Sequence, residues 1–236
     1  GQVFYPNGNQ IGVLLLDFLL TKLSDQKLMP PNPYMVKTIV TTRMLDVIAE
    51  AYGVRVENTL TGFKWICRRM NEVEREHPDW SFLFATEESF GYMHHDYVRD
   101  KDAVSSLGLM AEAALHHKLH GRNLAQALDM IYEKYGLCQE FLVSLDYVGK
   151  EGAEKINRIM ERFRKDFASA GQRFAGEEVV EVEDYKRRKS LVFATKNERD
   201  LIQPESNVLG LCFASGHRLY LRPSGTEPKI KFYIMM

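Results

Sequence analysis

The sequence has little of what marks a secreted, membrane or nucleic-acid-binding protein. The three cysteines, Cys67, Cys138 and Cys212, are odd in number and far apart, which fits neither a disulfide framework nor a zinc-ligand spacing. The longest apolar stretch, residues 13–20, is interrupted by Asp17 and is much shorter than the roughly 18 residues of a membrane span. Basic and acidic residues number 31 and 32, so no bulk attraction to polyanions is expected. We therefore expect a cytoplasmic protein with no membrane partner and no nucleic-acid partner.

Between residues 10 and 135, helix-period segments alternate with short strand-like segments, which is typical of α/β layering around a mainly parallel sheet. The pattern predicts helices at residues 44–52 and 103–120, and strands at residues 35–41, 54–57 and 81–85. In open α/β sheets, ligands bind beyond the carboxyl ends of the strands. We therefore expect one functional edge, formed by the polar loops at residues 41–43, 59–63 and 86–102.

The pattern changes after Gly136. A predicted strand at residues 140–146 and an amphipathic helix are followed by strands with alternating apolar residues and no helices between them. The predicted fold class is thus α/β, with a three-layer, mainly parallel-sheet domain at residues 1–137. A smaller α+β domain with a mainly antiparallel sheet is predicted at residues 138–236.

A short loop joins two predicted strands near the end of the chain, at residues 222–228. Arg222 offers a planar fork of donors for phosphate oxygens, Ser224 and Thr226 offer short donors, and Gly225 lets backbone N–H groups turn towards an anion. Lys231 lies on the outgoing strand. The loop is either a phosphate-binding cradle or an ordinary hairpin turn with solvated cations.

A second polar loop, Thr86-Glu87-Glu88-Ser89-Phe90-Gly91, follows a predicted buried strand directly. Carboxylates beside a serine can hydrogen bond to vicinal hydroxyls, as recognition of a sugar requires. The alternative is an acidic loop that only caps the next helix.

In this order, the segments resemble the α-D-phosphohexomutases, the phosphoglucomutase and phosphomannomutase family. The sugar-recognition motif of that family is matched by residues 87–91, its following K-D element by residues 100–103, and its R-x-S-G-T motif by residues 222–226. Two further segments are similar to the third domain of the phosphomannomutase-like and phosphopentomutase-like branch, at residues 7–12 and 60–66. The resemblance implies that the chain is domains 3 and 4 of a four-domain enzyme.

The resemblance also implies which parts of the full enzyme carry out catalysis and which bind the substrate. The full enzyme would be an isomerase that interconverts sugar 1-phosphates and 6-phosphates (or 5-phosphates) through a bisphosphate intermediate, with Mg²⁺ and a sugar bisphosphate activator. The phosphoserine loop and the magnesium loop belong to N-terminal domains of the same polypeptide, and neither motif occurs here, so this chain alone is expected to be inactive and to hold no metal. The catalytic residue that the resemblance implies in this chain is Lys101. The substrate-binding residues implied for the phosphosugar are Thr61, Gly62, Glu87, Ser89, Arg222, Ser224, Gly225, Thr226 and Lys231.

Two rival interpretations stay open from the sequence. One is a stand-alone phosphosugar-binding module without catalysis. The other is a structural or nucleic-acid-binding α/β protein with a basic hairpin. The basic run at residues 186–189 follows an acidic stretch and is interpreted as an exposed, charge-balanced connection. His116 and His120 share a helical face, but no third metal ligand is identifiable, so we interpret them as solvated side chains.

Overall fold

A computed structural model describes residues 3–225 and 227–236 of the chain. They divide into two compact units, Gly1–Cys138 (unit 1) and Gln139–Met236 (unit 2). The helices are α1 Gly8–Asp25, α2 Met44–Ala51, α3 Phe63–Glu76, α4 Ala103–Leu119, α5 Leu124–Tyr135 and α6 Gly149–Asp166. The strands of unit 1 are β1 Pro33–Thr38, β2 Arg55–Thr59, β3 Ser81–Glu87 and β4 Gly91–Met93. The strands of unit 2 are β5 Glu140–Asp146, β6 Arg173–Phe174, β7 Glu177–Asp184, β8 Lys189–Val192, β9 Asn197–Asp200, β10 Leu209–Phe213, β11 Arg218–Pro223 and β12 Lys229–Met235.

Unit 1 is a three-layer α/β/α structure. Its sheet has the order β2-β1-β3-β4, in which β1, β2 and β3 are parallel and β4 is antiparallel. Because side chains alternate along a strand, Met35 packs with α1, α2, α4 and α5, whereas Tyr34 and Val36 pack with α3 on the opposite face. The predicted α/β class and mainly parallel sheet are confirmed.

Unit 2 is an α+β structure in which every described strand pair is antiparallel. The central path of the sheet is β5-β12-β11-β10-β7-β8-β9, and β6 pairs with β7 outside that path. Helix α6 covers one face, and its Ile156 and Met160 pack against Leu211, Leu219 and Ile230 of the sheet. The alternating apolar residues of β10, β11 and β12 therefore predicted both the strands and their buried face correctly.

Two local predictions needed correction. β1 ends at Thr38 rather than at residue 41, because the Thr41 N–H donates to the Thr38 carbonyl and turns the chain. The segment expected to be one loop, residues 86–102, contains β4.

The basic run at residues 186–189 is exposed, as predicted, and lies at the turn between β7 and β8, where Lys186 pairs with Glu161 and Lys189 with Glu198. The acidic stretch before it is β7, a strand that the sequence did not predict. The many charged residues of β7 made its alternation of buried and exposed positions hard to recognise in the sequence, because the buried positions include Glu183 as well as Val179.

Helix ends follow ordinary capping chemistry. Asp102 is the N-cap of α4, as predicted, and its carboxylate accepts from the N–H groups of Val104 and Ser105 at 3.1 and 3.2 Å. Gly53 and Gly121 follow α2 and α4 with positive φ, a conformation that glycine adopts without a steric penalty. No helix within the described residues combines the length and the apolar character needed to cross a lipid bilayer.

Candidate functional site

Three polar loops of unit 1 lie at one edge of its sheet. β1, β2 and β3 are parallel, so their carboxyl ends share that edge, as the sequence predicted. The loop after β1 contributes Thr41 and Thr42, the loop after β2 contributes Thr61 and Gly62, and the turn between β3 and β4 contributes the segment at residues 88–90. Thr41 and Thr42 are buried, so the groups that this edge offers to a ligand come from the loop after β2 and the turn between β3 and β4.

Glu87, the last residue of β3, is the centre of this edge. Half-burial raises the pKa of its carboxyl, and three neighbours oppose that rise: the Lys101 charge, a hydrogen bond from the Ser89 hydroxyl and one from the Gly62 N–H. Gly62 has a φ of 111°, which a residue with a side chain rarely adopts, so glycine suits the position that aims this N–H at the carboxylate. Residues predicted from three separate motifs are thus brought together, with Gly62, Ser89 and Lys101 around the Glu87 carboxylate.

Lys101 approaches this carboxylate from the segment before α4. Its Nζ lies 3.2 Å from Asp100 Oδ1 and 5.7 Å from the centre of the Phe63 ring. The side chain is exposed, and a mobile, solvated ammonium can reach an anionic group on a ligand. Asp100 also accepts from the Lys101 N–H at 2.7 Å, and both hydrogen bonds from Lys101 lower the pKa of the Asp100 carboxyl. The arrangement holds a cation beside the hydrogen-bonding edge.

Close packing that sequence reasoning missed fixes the turn between β3 and β4. A Cβ on Gly8, at the start of α1, would lie 1.9 Å from the Glu88 carbonyl oxygen, so only glycine fits against the turn. The Tyr92 hydroxyl donates to the Gly8 carbonyl at 2.8 Å, and Phe90 has a positive φ of 63°. The sequence signal for this contact is the Asn7-Gly8-Asn9 segment. It is recognisable from the resemblance to the family but not from helical periodicity.

Glu88 is a second residue whose contacts sequence reasoning did not predict. Thr38 Oγ1 donates to Glu88 Oε2 at 3.3 Å, and the Thr38 and Thr41 hydroxyls lie 2.7 Å apart. These bonds join the loop after β1 to the turn after β3. Glu87 and Glu88 are adjacent in sequence, yet Glu87 lies beside Ser89 and Gly62 while Glu88 braces the neighbouring loop.

The second candidate element is the loop between β11 and β12 of unit 2. Arg222 and Lys231 are directly opposite each other in the antiparallel pair, so their side chains share one face. The Ser224 N–H donates to the Lys229 carbonyl at 2.8 Å and closes the loop. Gly225 is exposed, and a Cβ added there would meet no described atom within 4 Å. Thr226 lies outside the described residues.

Two of the four cations on β11 and β12 lie beside carboxylates. Arg218 alternates with Arg222 on the same side of β11, but its guanidinium lies 3.9 Å from Glu183 and donates to the Tyr220 hydroxyl at 3.1 Å. Tyr220 is buried and in turn donates to Glu183 at 2.9 Å. Lys229 pairs with Glu227 at 2.7 Å. Within the part of the chain that the structure describes, neither Arg222 nor Lys231 forms an ion pair, although the Lys231 charge joins Lys229 in lowering the pKa of the Glu227 carboxyl. These two cations are the ones that this loop can offer to an anion.

The fold resembles that of solved sugar-phosphate mutases. A phosphoglucomutase-type phosphoprotein, parafusin from Paramecium, superposes on all of this chain with a TM-score of 0.64 and 18% sequence identity, over 37% of its own length. A putative phosphomannomutase from Thermus thermophilus superposes on 96% of the chain with a TM-score of 0.55 and 18% identity, over 36% of its own length. At this identity the likeness establishes the fold.

Sequence comparison establishes the family. Residues 7–135, more than half of the chain, match the family described as phosphoglucomutase/phosphomannomutase, alpha/beta/alpha domain III. The chain belongs to this family, and unit 1 contains its third domain. Phosphoglucomutases from Staphylococcus aureus and Staphylococcus haemolyticus are 36% and 34% identical to it over all 236 residues. The chain spans 41% of the length of each of these relatives.

Proposed function

We propose that this chain is the substrate-binding part of a phosphosugar mutase, an isomerase that interconverts sugar 1-phosphates and 6-phosphates (or 5-phosphates) through a bisphosphate intermediate. The observation that carries the proposal is the meeting of Gly62, Ser89 and Lys101 around the half-buried carboxylate of Glu87. The family match and the full-length likeness to phosphoglucomutases support it. The proposal assigns residues 138–236 to the family's fourth domain and the catalytic phosphoserine to segments that precede this chain.

Unit 1 would recognise the sugar. An ionised Glu87 accepts hydrogen bonds from two hydroxyls, and the Ser89 hydroxyl can donate or accept, so the pair can bind vicinal hydroxyls in either of two orientations of a sugar. Thr61 and Gly62 would complete the contact from the loop after β2. A mutase needs this tolerance because its intermediate must turn around between the two phosphoryl transfers.

Unit 2 would hold the phosphate that is not reacting. Arg222 can form two parallel hydrogen bonds to phosphate oxygens, Lys231 adds a point charge beside it, and Ser224, Gly225 and Thr226 add short donors. Binding energy from this remote group can place the distant hydroxyl for attack. Lys101 would stabilise negative charge, or move a proton, at the reacting end. Magnesium and a bisphosphate activator would act with the upstream segments, where this proposal puts the metal ligands.

Turnover is the direct test. The native polypeptide, extended upstream to the length of its relatives, should interconvert glucose 1-phosphate and glucose 6-phosphate with Mg²⁺ and glucose 1,6-bisphosphate present. The 236-residue chain alone should form no product under the same conditions, because it lacks the phosphoryl donor. A coupled assay for the 6-phosphate measures both. Product from the isolated chain, or an inactive but folded long polypeptide with every hexose and pentose phosphate tried, would contradict the proposal.

A further inference from the structure

Helix α4 is apolar on two opposite faces. Its inner face, which includes Leu109 and Ala113, is buried in unit 1. Its outer face carries four large apolar side chains that are mostly exposed: Val104 (84%), Leu107 (71%), Leu115 (57%) and Leu119 (75%). Exposed Gly108 and Ala111 lie between them. At about 100° per residue, all six positions fall within roughly 120° of one another, so they form one stripe along the helix, in which Lys118 is the charged residue near the end.

A helix on the surface of a folded domain normally turns charged or polar residues outwards. α3 of the same unit does so: Arg68, Glu72 and Arg75 lie on its outer side, and Arg68 pairs with Glu72 at 2.9 Å. Single exposed leucines need no explanation, but a stripe that follows a helix for more than four turns marks a contact surface. We call the six residues the α4 stripe.

We propose that the α4 stripe is the surface on which the preceding domains of the native polypeptide dock. This inference rests on the proposed function, because it requires that the chain is the later part of a longer mutase. Two observations identify the occupant. The matched family domain is the third, so domains I and II precede it in the family, and the curated relatives are more than twice as long as the matched region.

The size of the stripe also favours a covalently linked domain over a second copy. One face of a 17-residue helix offers on the order of a few hundred Å² of apolar surface. A stable complex between separate proteins buries about 800 Å² on each partner. A tethered domain, held at an effective concentration in the millimolar range, can dock on a smaller surface.

Docking of a domain on the α4 stripe would affect the candidate site, because Lys101 lies next to the first turn of α4. Lys101 precedes the N-cap Asp102 directly, and Val104, the first residue of the stripe, donates its N–H to the Asp102 carboxylate at 3.1 Å. A domain seated on Val104 and Leu107 would hold this first turn in place. The stripe thus links assembly of the domains to the position of Lys101.

The test compares accessibility at residue 107 in two proteins. Leu107→Cys is introduced into the 236-residue chain and into the native upstream-extended polypeptide, and the rate of thiol alkylation is followed by peptide mass spectrometry. We expect alkylation to be at least about tenfold slower in the longer polypeptide, because a docked domain excludes the reagent. Leu28→Cys, at another exposed apolar position of unit 1, is the control, and its rate should stay within about twofold.

A second measurement tests the proposal if the cysteine variants fold poorly. Leu115→Glu should lower the melting temperature of the longer polypeptide by several degrees and leave that of the 236-residue chain unchanged. Equal alkylation rates in the two proteins would overturn the proposal, as would protection that disappears when the longer polypeptide is diluted from a dimer to a monomer. Protection at residue 107 in a long polypeptide without mutase turnover would keep the docking surface and reject the proposed function.

Discussion

At the scale of single residues, the candidate site depends on a carboxylate held where it is costly to ionise. Glu87 is half-buried, and burial raises the pKa of its carboxyl despite the nearby Lys101 charge. The charged residue therefore destabilises the folded state. The same poorly solvated carboxylate would accept a strong hydrogen bond from a ligand hydroxyl. Such a conflict between stability and binding is typical of functional positions.

Glu87→Gln separates these two effects. The raised folded-state pKa means that wild-type stability falls as the pH rises from the unfolded value, about 4.3, through the folded value. Glutamine has no charge to desolvate, so the variant should melt at a higher temperature than wild type above that window and at a similar temperature below it. The catalytic efficiency of the full polypeptide should fall about tenfold to a hundredfold, as expected for loss of one charge-assisted hydrogen bond of about 1.5–3 kcal/mol.

Thermal melts between about pH 4 and pH 8 and steady-state kinetics measure both effects. Glu133→Gln, at an exposed position of α5, is the matched control and should change neither. A variant that melts below wild type at every pH, with kinetics unchanged, would show that Glu87 is structural only.

Arg222→Lys tests the phosphate loop. Lysine keeps the charge but loses the planar fork, so substrate binding and turnover should weaken together, with efficiency lower by about tenfold to a hundredfold. Lys186→Ala is the control: Lys186 is exposed and pairs with the exposed Glu161, an interaction of small expected value. Steady-state kinetics on both variants of the full polypeptide provide the measurement. Equal losses in the two variants would mean that general positive charge, rather than this loop, binds phosphate.

At the scale of elements, packing between α1 and the turn after β3 positions Glu87 and Ser89. The Gly8 Cα lies against the Glu88 carbonyl, and the Tyr92 hydroxyl ties β4 to the start of α1. The neighbouring helix therefore helps to determine the conformation of the turn.

Gly8→Ala should therefore disturb the turn. The added methyl would lie 1.9 Å from the Glu88 carbonyl oxygen, and relief requires a backbone shift, for which we expect a loss of about 1–3 kcal/mol of unfolding free energy. Gly108→Ala is the contrasting control, because a Cβ there would meet no described atom within 4 Å and alanine favours the helix by up to about 1 kcal/mol. Urea denaturation of the 236-residue chain measures both. A Gly8→Ala variant as stable as wild type would show that the turn yields without cost.

At the scale of the whole molecule, two units contribute different chemistry while the net charge stays near zero, at −1. Unit 1 offers hydrogen-bonding groups on a mainly parallel sheet, and unit 2 offers the cations Arg222 and Lys231 on an antiparallel sheet. Anion binding in such a chain depends on local geometry rather than on the overall field.

The sequence by itself determined the fold class, the strands with alternating apolar residues, the cap at Asp102 and the family. These features depend on local periodicity, on single capping residues or on short motifs, all of which are legible along the chain. It also predicted which loops share an edge, because parallel strands place their carboxyl ends together.

Only the tertiary structure decided the rest. It showed that Glu88 braces a neighbouring loop, that Arg218 lies beside Glu183, and that the acidic stretch ending at Asp184 is a strand of the sheet. It also showed that the outer face of α4 is exposed to solvent, although its apolar residues by themselves would predict burial in a core. The physical reason is common to all four: each depends on which side chains from distant parts of the chain come within contact distance, and residue type and spacing do not encode that.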